Sequence, residues 1–225
     1  MRTEPELIYR AEDGWEIPAL VWRPEAPLRA VSSAPLGGGI GVRRWVVNAT
    51  VPMSYHRDDP DAHLREIAAR FGLRGPGVGL LTGVDVTEVV RREDEGVRVW
   101  ATVGLGAPIQ AAAPAAPAAA PPAHPVGTVN IVAFVPARLS DAALVNAIAT
   151  VTEAKAQALA ALGLAATGTA TDAVTVLCPP DGPPAAYGGP RSRWGAPLAR
   201  AGYAAVRDGG ARPVVPWSVR HHDAR

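Results

Sequence analysis

The chain has 225 residues, 48% hydrophobic and 19% charged, with a formal net charge of +1. A chain of this size buries a full core, roughly 70% of its unfolded surface, which excludes a disordered segment or a staple-dependent miniprotein. The near-zero charge gives no basic field for a phosphate backbone, so the sequence predicts no nucleic-acid partner, and the lone cysteine, Cys178, excludes an intrachain disulfide.

The first residues carry no apolar signal core, and no run reaches the ~18 apolar residues of a membrane span. The sequence therefore predicts one soluble, cytoplasmic domain over residues 1–225 that does not engage a membrane. It fixes no oligomeric state.

In chain order, Leu7 to Trp22 reads as short strands, with Asp13-Gly14 turning a hairpin. Val31 to Gly41 reads as a strand end running into a glycine-rich loop, and residues 44–51 as a strand. Asp61 to Phe71 reads as a helix, with Leu64, Ile67, Ala68 and Phe71 on its apolar face. Residues 78–81 and 97–103 are further strands. Residues 111–125, almost only Ala and Pro, read as a solvated insertion with polyproline character. Val126 to Val135 is a strand. Ser140 caps a long helix, Asp141 to Leu162, stopped by Gly163. A threonine-rich loop, 167–172, enters a strand at 173–177. A short helix falls near 196–206, and the tail from 208 to 225 reads as loosely held. The fold class is α+β: a mixed sheet with helices packed on it.

The order strand, helix, acidic loop, strand occurs twice. Val47-Asn48 echoes Val129-Asn130, Asp61-Ala62-His63-Leu64 echoes Asp141-Ala142-Ala143-Leu144, and Thr82-Gly83-Val84-Asp85 echoes Thr169-Ala170-Thr171-Asp172. Two pseudo-repeated halves related by a pseudo-twofold would bring Asn48 near Asn130 and Asp85 near Asp172, with a cleft between them.

Hydrolysis needs an activated water, donors for a developing oxyanion and a proton for the leaving group. No Gly-x-Ser-x-Gly elbow is present, and Cys178 reads as a small buried hydrophobe. The five histidines lack metal-ligand spacing, so no protein metal site is expected. Asp85 and Asp172 sit among small residues at strand entrances; each is either a turn cap or half of an acid–base pair. Asn146, Thr150, Glu153 and Gln157 share one face of the long helix, turned either to water or to a site. Lys155 projects roughly opposite Glu153. It is the one lysine beside 21 arginines, which raises the question of whether a compact ammonium is needed there. Gly37-Gly38-Gly39 can present backbone N–H groups as a nest, but the loop is neither a Walker A nor a dinucleotide fingerprint.

Several segments in order resemble the adenosylcobinamide amidohydrolase family (CbiZ type). They are Val31 to Gly39, Val47-Asn48-Ala49, Val78 to Asp85, Thr128-Val129-Asn130, Ala149 to Ala156 and Thr167 to Val174. The resemblance spans about residues 30–178 and rests on the ordered set, not on any one motif. It implies hydrolysis of the amide joining a corrin propionyl arm to aminopropanol in adenosylcobinamide, giving adenosylcobyric acid in cobinamide salvage for cobalamin biosynthesis. It implies a corrinoid substrate that brings its own cobalt, and no cofactor of the protein's own. On that basis Asp172 is assigned as general base, supported by Glu153 or Asp85, with Lys155 aiding departure of the amine. Asn48, Asn130 and the Gly37, Gly38 and Gly39 backbone are assigned to the oxyanion. Ser32, Ser33, Thr82, Thr169 and Thr171 are assigned to substrate contacts. A corrinoid-binding protein without catalysis and a hydrolase of another small amide are the alternatives.

Overall fold

The computed structural model describes residues 4–114, 127–213 and 216–220. Most of the Ala/Pro insertion expected at 111–125 and the end of the expected tail lie outside the described residues.

Strands β1 (Glu6–Glu12) and β2 (Trp15–Trp22) form the expected hairpin. Its turn residues Asp13 (φ 51°) and Gly14 (φ 78°) both take positive φ, the primed-turn geometry that matches strand twist. A second hairpin joins β3 (Leu28–Ser32) to β4 (Gly39–Arg43). Strand β4 corrects the expected glycine loop: it is an edge strand with Ile40 and Val42 exposed. Next come β5 (Trp45–Thr50), helix α1 (Pro60–Arg70) and β6 (Gly77–Thr82), with β5 and β6 parallel.

After a single 3-10 turn at Val86–Glu88, β7 (Val90–Asp94) and β8 (Val97–Leu105) make a third hairpin. Strand β7 was not legible in the sequence, because its Arg-Arg-Glu-Asp run is an exposed, charged sheet edge. The chain continues through β9 (Gly127–Phe134), α2 (Asp141–Ala161) and β10 (Ala173–Cys178), with β9 and β10 parallel. The Ser140 hydroxyl accepts from Ala143 N–H at 3.1 Å, the predicted cap. Helix α3 (Gly195–Gly210) is longer than expected, and α4 (Trp217–Arg220) follows.

The expected looseness from residue 208 is corrected for the part described. Asp208 accepts from Arg92 Nε at 2.9 Å, and the Trp217 ring is buried edge-on to Trp15 with centroids 5.8 Å apart.

Two sheets result, ordered β1-β2-β5-β6 and β4-β3-β10-β9-β8-β7. Each contains a hairpin followed by a parallel strand–helix–strand unit with the same pairing directions. Side-chain alternation along each strand sets the layers. Trp22, Val46, Leu80, Trp100, Phe134 and Leu177 fill the space between the sheets. On the outer faces, Val21, Val47 and Ala49 meet Ile67 of α1, while Val129, Ile131 and Ala133 share a core with Leu144 and Val151 of α2 and Leu198 of α3. The body is therefore helix, sheet, sheet, helix pair.

Candidate active site

The inter-sheet layer is apolar through most of its length and turns polar at one end. There the C-terminal ends of β5 and β6 meet the N-terminal ends of β9 and β10. Asn48 on β5 and Asn130 on β9 take the inward positions that Val46 and Val132 hold further along. A cleft of about 540 Å³ opens at this end, with Ser33, Thr82, Thr128, Asn130, Thr171 and Asp172 among its lining. Leu80, Leu81 and Ala173 supply apolar wall; Tyr55 and Arg57 enter from the loop before α1.

Asp172 is held on all sides. Oδ1 accepts from Val129 N–H at 2.9 Å and the Thr169 hydroxyl at 2.5 Å. Oδ2 accepts from Thr169 N–H at 3.0 Å and from the Lys155 ammonium. A carboxylate has about four acceptor positions, and all are filled. Lys155, reaching in from α2, is buried and touches the cleft only through Asp172. Gly168 lies directly over the pair: a Cβ there would stand 2.3 Å from Asp172 Oδ2 and 2.4 Å from Lys155 Nζ.

The loop's other threonines stitch it to neighbours. The Thr167 hydroxyl accepts from Ala111 N–H at 2.9 Å, and Thr171 donates to the Gly127 carbonyl at 3.1 Å while bonded to Thr128 at 2.6 Å.

Asn48 and Asn130 do meet. Asn130 Nδ2 donates to Asn48 Oδ1 at 2.9 Å and to the Leu81 carbonyl at 2.8 Å, and Asn48 Nδ2 donates to Thr102 at 3.0 Å. Both Asn130 amide protons are thus spent, and Oδ1 remains for the cleft. Asn130 is built as an acceptor there, not as the oxyanion donor expected, and Asn48 stands behind it. The donors are hydroxyls. Ser33 Oγ accepts from Val174 N–H at 3.0 Å, and Thr82 Oγ1 accepts from Val84 N–H at 3.1 Å. With the backbone supplying each accepted bond, each hydroxyl keeps its own proton to give.

Other expected residues fall elsewhere. Ser32 faces into the larger sheet, 2.8 Å from Thr175 Oγ1. Glu153 is exposed on α2 and does not line the cleft; of its polar stripe, Thr150 is buried, donating to the Gly188 carbonyl at 2.8 Å. Asp85 takes the turn-cap alternative, accepting from Thr87 N–H at 3.0 Å and the Thr87 hydroxyl at 2.7 Å.

Gly37, Gly38 and Gly39 do not line the cleft either. Gly37 is needed for close approach: a Cβ there would stand 1.9 Å from the Gly77 carbonyl oxygen. The Arg43 guanidinium covers the Gly37 carbonyl at 2.9 Å.

Sequence reading missed Tyr55, Arg57 and Thr128, and a buried polar chain behind Tyr55. Arg10 Nε donates to Glu12 Oε2 at 2.7 Å, Glu12 Oε1 lies 2.8 Å from His63 Nε2, and His63 Nδ1 lies 3.3 Å from the Tyr55 hydroxyl. Burial works against the Glu12 charge, yet the Arg10 bond and charge, aided by His63, hold its carboxyl below the ordinary range. No spacing rule joins residues 10, 12, 55 and 63, so only the fold reveals them. Among the described residues, no group of three or more His, Cys, Asp or Glu is placed to hold a metal ion. No described helix is long and apolar enough to cross a membrane.

A helix–sheet–sheet–helix body with a cleft of hydroxyls, an amide and a carboxylate has the build of an enzyme for a small molecule. Known proteins narrow that class. The family model for adenosylcobinamide amidohydrolase matches residues 4–214, and the chain belongs to that family. A Methanosarcina mazei protein named adenosylcobinamide amidohydrolase is 34% identical over 154 residues, 67% of this chain and 72% of the relative. A Halobacterium salinarum protein of the same name is 39% identical over 146 residues, 62% of this chain and 62% of the relative.

Proposed function

We propose that the chain hydrolyses the amide between the corrin propionyl arm and aminopropanol of adenosylcobinamide, releasing adenosylcobyric acid for cobalamin biosynthesis. The reading rests on family membership across residues 4–214. The cleft's chemistry supports it. An amide carbonyl entering the cleft meets the Ser33 and Thr82 hydroxyls as donors for developing negative charge. Its N–H, or the hydroxyl of the amino alcohol, meets Asn130 Oδ1 as acceptor. At about 540 Å³ the cleft is the size of a small-ligand site; the side arm enters and the macrocycle stays at the mouth. Cobalt arrives as part of the corrinoid, and the protein supplies no cofactor. We also propose a cytoplasmic setting, which the lone cysteine suits, and no nucleic-acid partner, because a net charge of +1 supplies no basic field.

Asp172 has no acceptor position free for a water proton. We assign it to hold Lys155 and the threonine loop in place, with Thr169 serving the same end.

The test is mass spectrometry of adenosylcobinamide after incubation with the purified chain. Conversion to adenosylcobyric acid with equimolar aminopropanol is the expected result. A red corrinoid that stays with the protein unchanged would instead make the chain a binding protein.

A further inference from the structure

A water attacking an amide must lose a proton, and Asp172, the carboxylate among the described residues of the cleft lining, is fully occupied. Of the other titratable groups in that lining, Arg57 is a permanent cation, which leaves Tyr55. Behind it stand His63 of α1 and Glu12 and Arg10 of β1, all but Glu12 and Tyr55 buried to within a few per cent. The Arg10 guanidinium is pinned from a second side by the Thr50 carbonyl at 2.7 Å.

Hydrogen-bond polarity fixes how this chain runs. An ionised carboxylate only accepts, so His63 carries its proton on Nε2, 2.8 Å from Glu12 Oε1. In the neutral imidazole Nδ1 is then bare and accepts from the Tyr55 hydroxyl, 3.3 Å away, and the two rings lie nearly parallel with centroids 5.4 Å apart. Tyr55 then gives its proton inward, and the residue itself is part of the cleft lining. Carboxylate, imidazole, hydroxyl is the order that activates a hydroxyl by drawing off its proton, and a hydroxyl so placed can take a proton from water as it gives up its own.

We propose that Tyr55 activates water for the hydrolysis proposed above, on which this inference rests, with His63, Glu12 and Arg10 as positioning residues behind it. As the water oxygen bonds to the amide carbon, the water proton passes to Tyr55 Oη and the tyrosyl proton to His63 Nδ1. The carbonyl π pair moves onto oxygen, facing Ser33 and Thr82. The imidazolium so formed lies against Glu12, whose charge Arg10 secures. On collapse the carbonyl re-forms and the C–N bond breaks with its pair on nitrogen. The proton returns from His63 through Tyr55 to that nitrogen as the bond breaks, giving the carboxylic acid and the free amine.

Burial keeps the Tyr55 hydroxyl above its ordinary range, with the Arg57 charge opposing and those of Asp59, Glu12 and Glu66 adding. No free phenolate forms at neutral pH; the proton moves only as water attacks.

The experiment compares the parent chain with Tyr55→Phe and His63→Gln, following aminopropanol release from adenosylcobinamide. Tyr55→Phe removes one oxygen and keeps the ring, so its thermal midpoint should stay near the parent's. Its kcat should fall by about 10²–10⁴-fold, the usual worth of a positioned base, with KM little changed. His63→Gln should lose kcat to a similar degree. Hydroxylamine, a better nucleophile than water that needs less help from a base, should restore aminopropanol release by Tyr55→Phe, with the hydroxamate as product. A merely structural tyrosine would show no such rescue. An active parent with Tyr55→Phe within about threefold of its kcat overturns the relay alone. A parent that leaves adenosylcobinamide intact overturns the functional reading, and the relay falls with it.

Discussion

Lys155 carries its charge where little water reaches: its side chain is 8% exposed and that of Asp172 9%. A buried pair loses more from removal of one partner than it contributes as a whole. The two partners are not equivalent. Asp172→Asn leaves the ammonium facing a neutral amide and should cost about 3–5 kcal/mol. Lys155→Met should cost less, because Asp172 keeps its bonds from Val129 N–H, Thr169 N–H and the Thr169 hydroxyl. Urea unfolding of the two variants gives the comparison; equal losses would mean that the backbone donors do not share the charge. The place of Asp172 was legible because threonines crowd the residues before a strand. Its role was not, since the number of donors reaching a carboxylate depends on β9 and α2, remote in sequence. Glu153 and Lys155 show the same limit: a helical wheel puts them on opposite sides without saying which side is covered.

Among elements, those with clear caps or turn residues read correctly, α2 between Ser140 and Gly163 and the Asp13-Gly14 hairpin above all. Strands β4 and β7 did not, because glycines in the one and a charged run in the other hide the apolar alternation that burial imposes. The loop from β3 to β4 shows how glycines in one run differ. Gly37 (φ +72°) abuts the Gly77 carbonyl, whereas a Cβ at Gly39 (φ +80°) would meet nothing within 4 Å. A left-handed backbone costs a non-glycine about 1–2 kcal/mol, and forcing a methyl into packed backbone adds about 1–3 kcal/mol. Gly37→Ala should therefore lose about 2–5 kcal/mol and Gly39→Ala only the first part. Thermal midpoints measure the difference, and equal shifts would rule out close approach as the reason for Gly37.

At the scale of the molecule, Glu12 ties the β1 edge of the smaller sheet to α1 through His63. Its folded-state carboxyl lies below the ordinary range, through Arg10 and His63 prevailing over burial. The sign follows from linkage: a depressed acid stabilises the fold above its unfolded value, and that stability is lost as pH falls through the folded one. Stability should hold near neutrality and decline on acidification below about pH 4, with Glu12→Gln giving a flatter profile. Urea midpoints across that range provide the check; an unaltered slope in Glu12→Gln would assign the acid sensitivity elsewhere. Carboxylates nearer solvent, such as exposed Asp59 and half-buried Asp94, are also held low by hydrogen bonds from Arg57 and Arg200, but solvent screening makes them minor contributors.

The cleft takes one wall from each sheet, Thr82 on β6 and Asn130 on β9, joined where the Asn130 amide reaches the Leu81 carbonyl. Neither layer folded by itself contains a working pocket. Turnover therefore reports the docking of two slabs: a molecule with one slab formed and the other adrift is silent, however much secondary structure it retains.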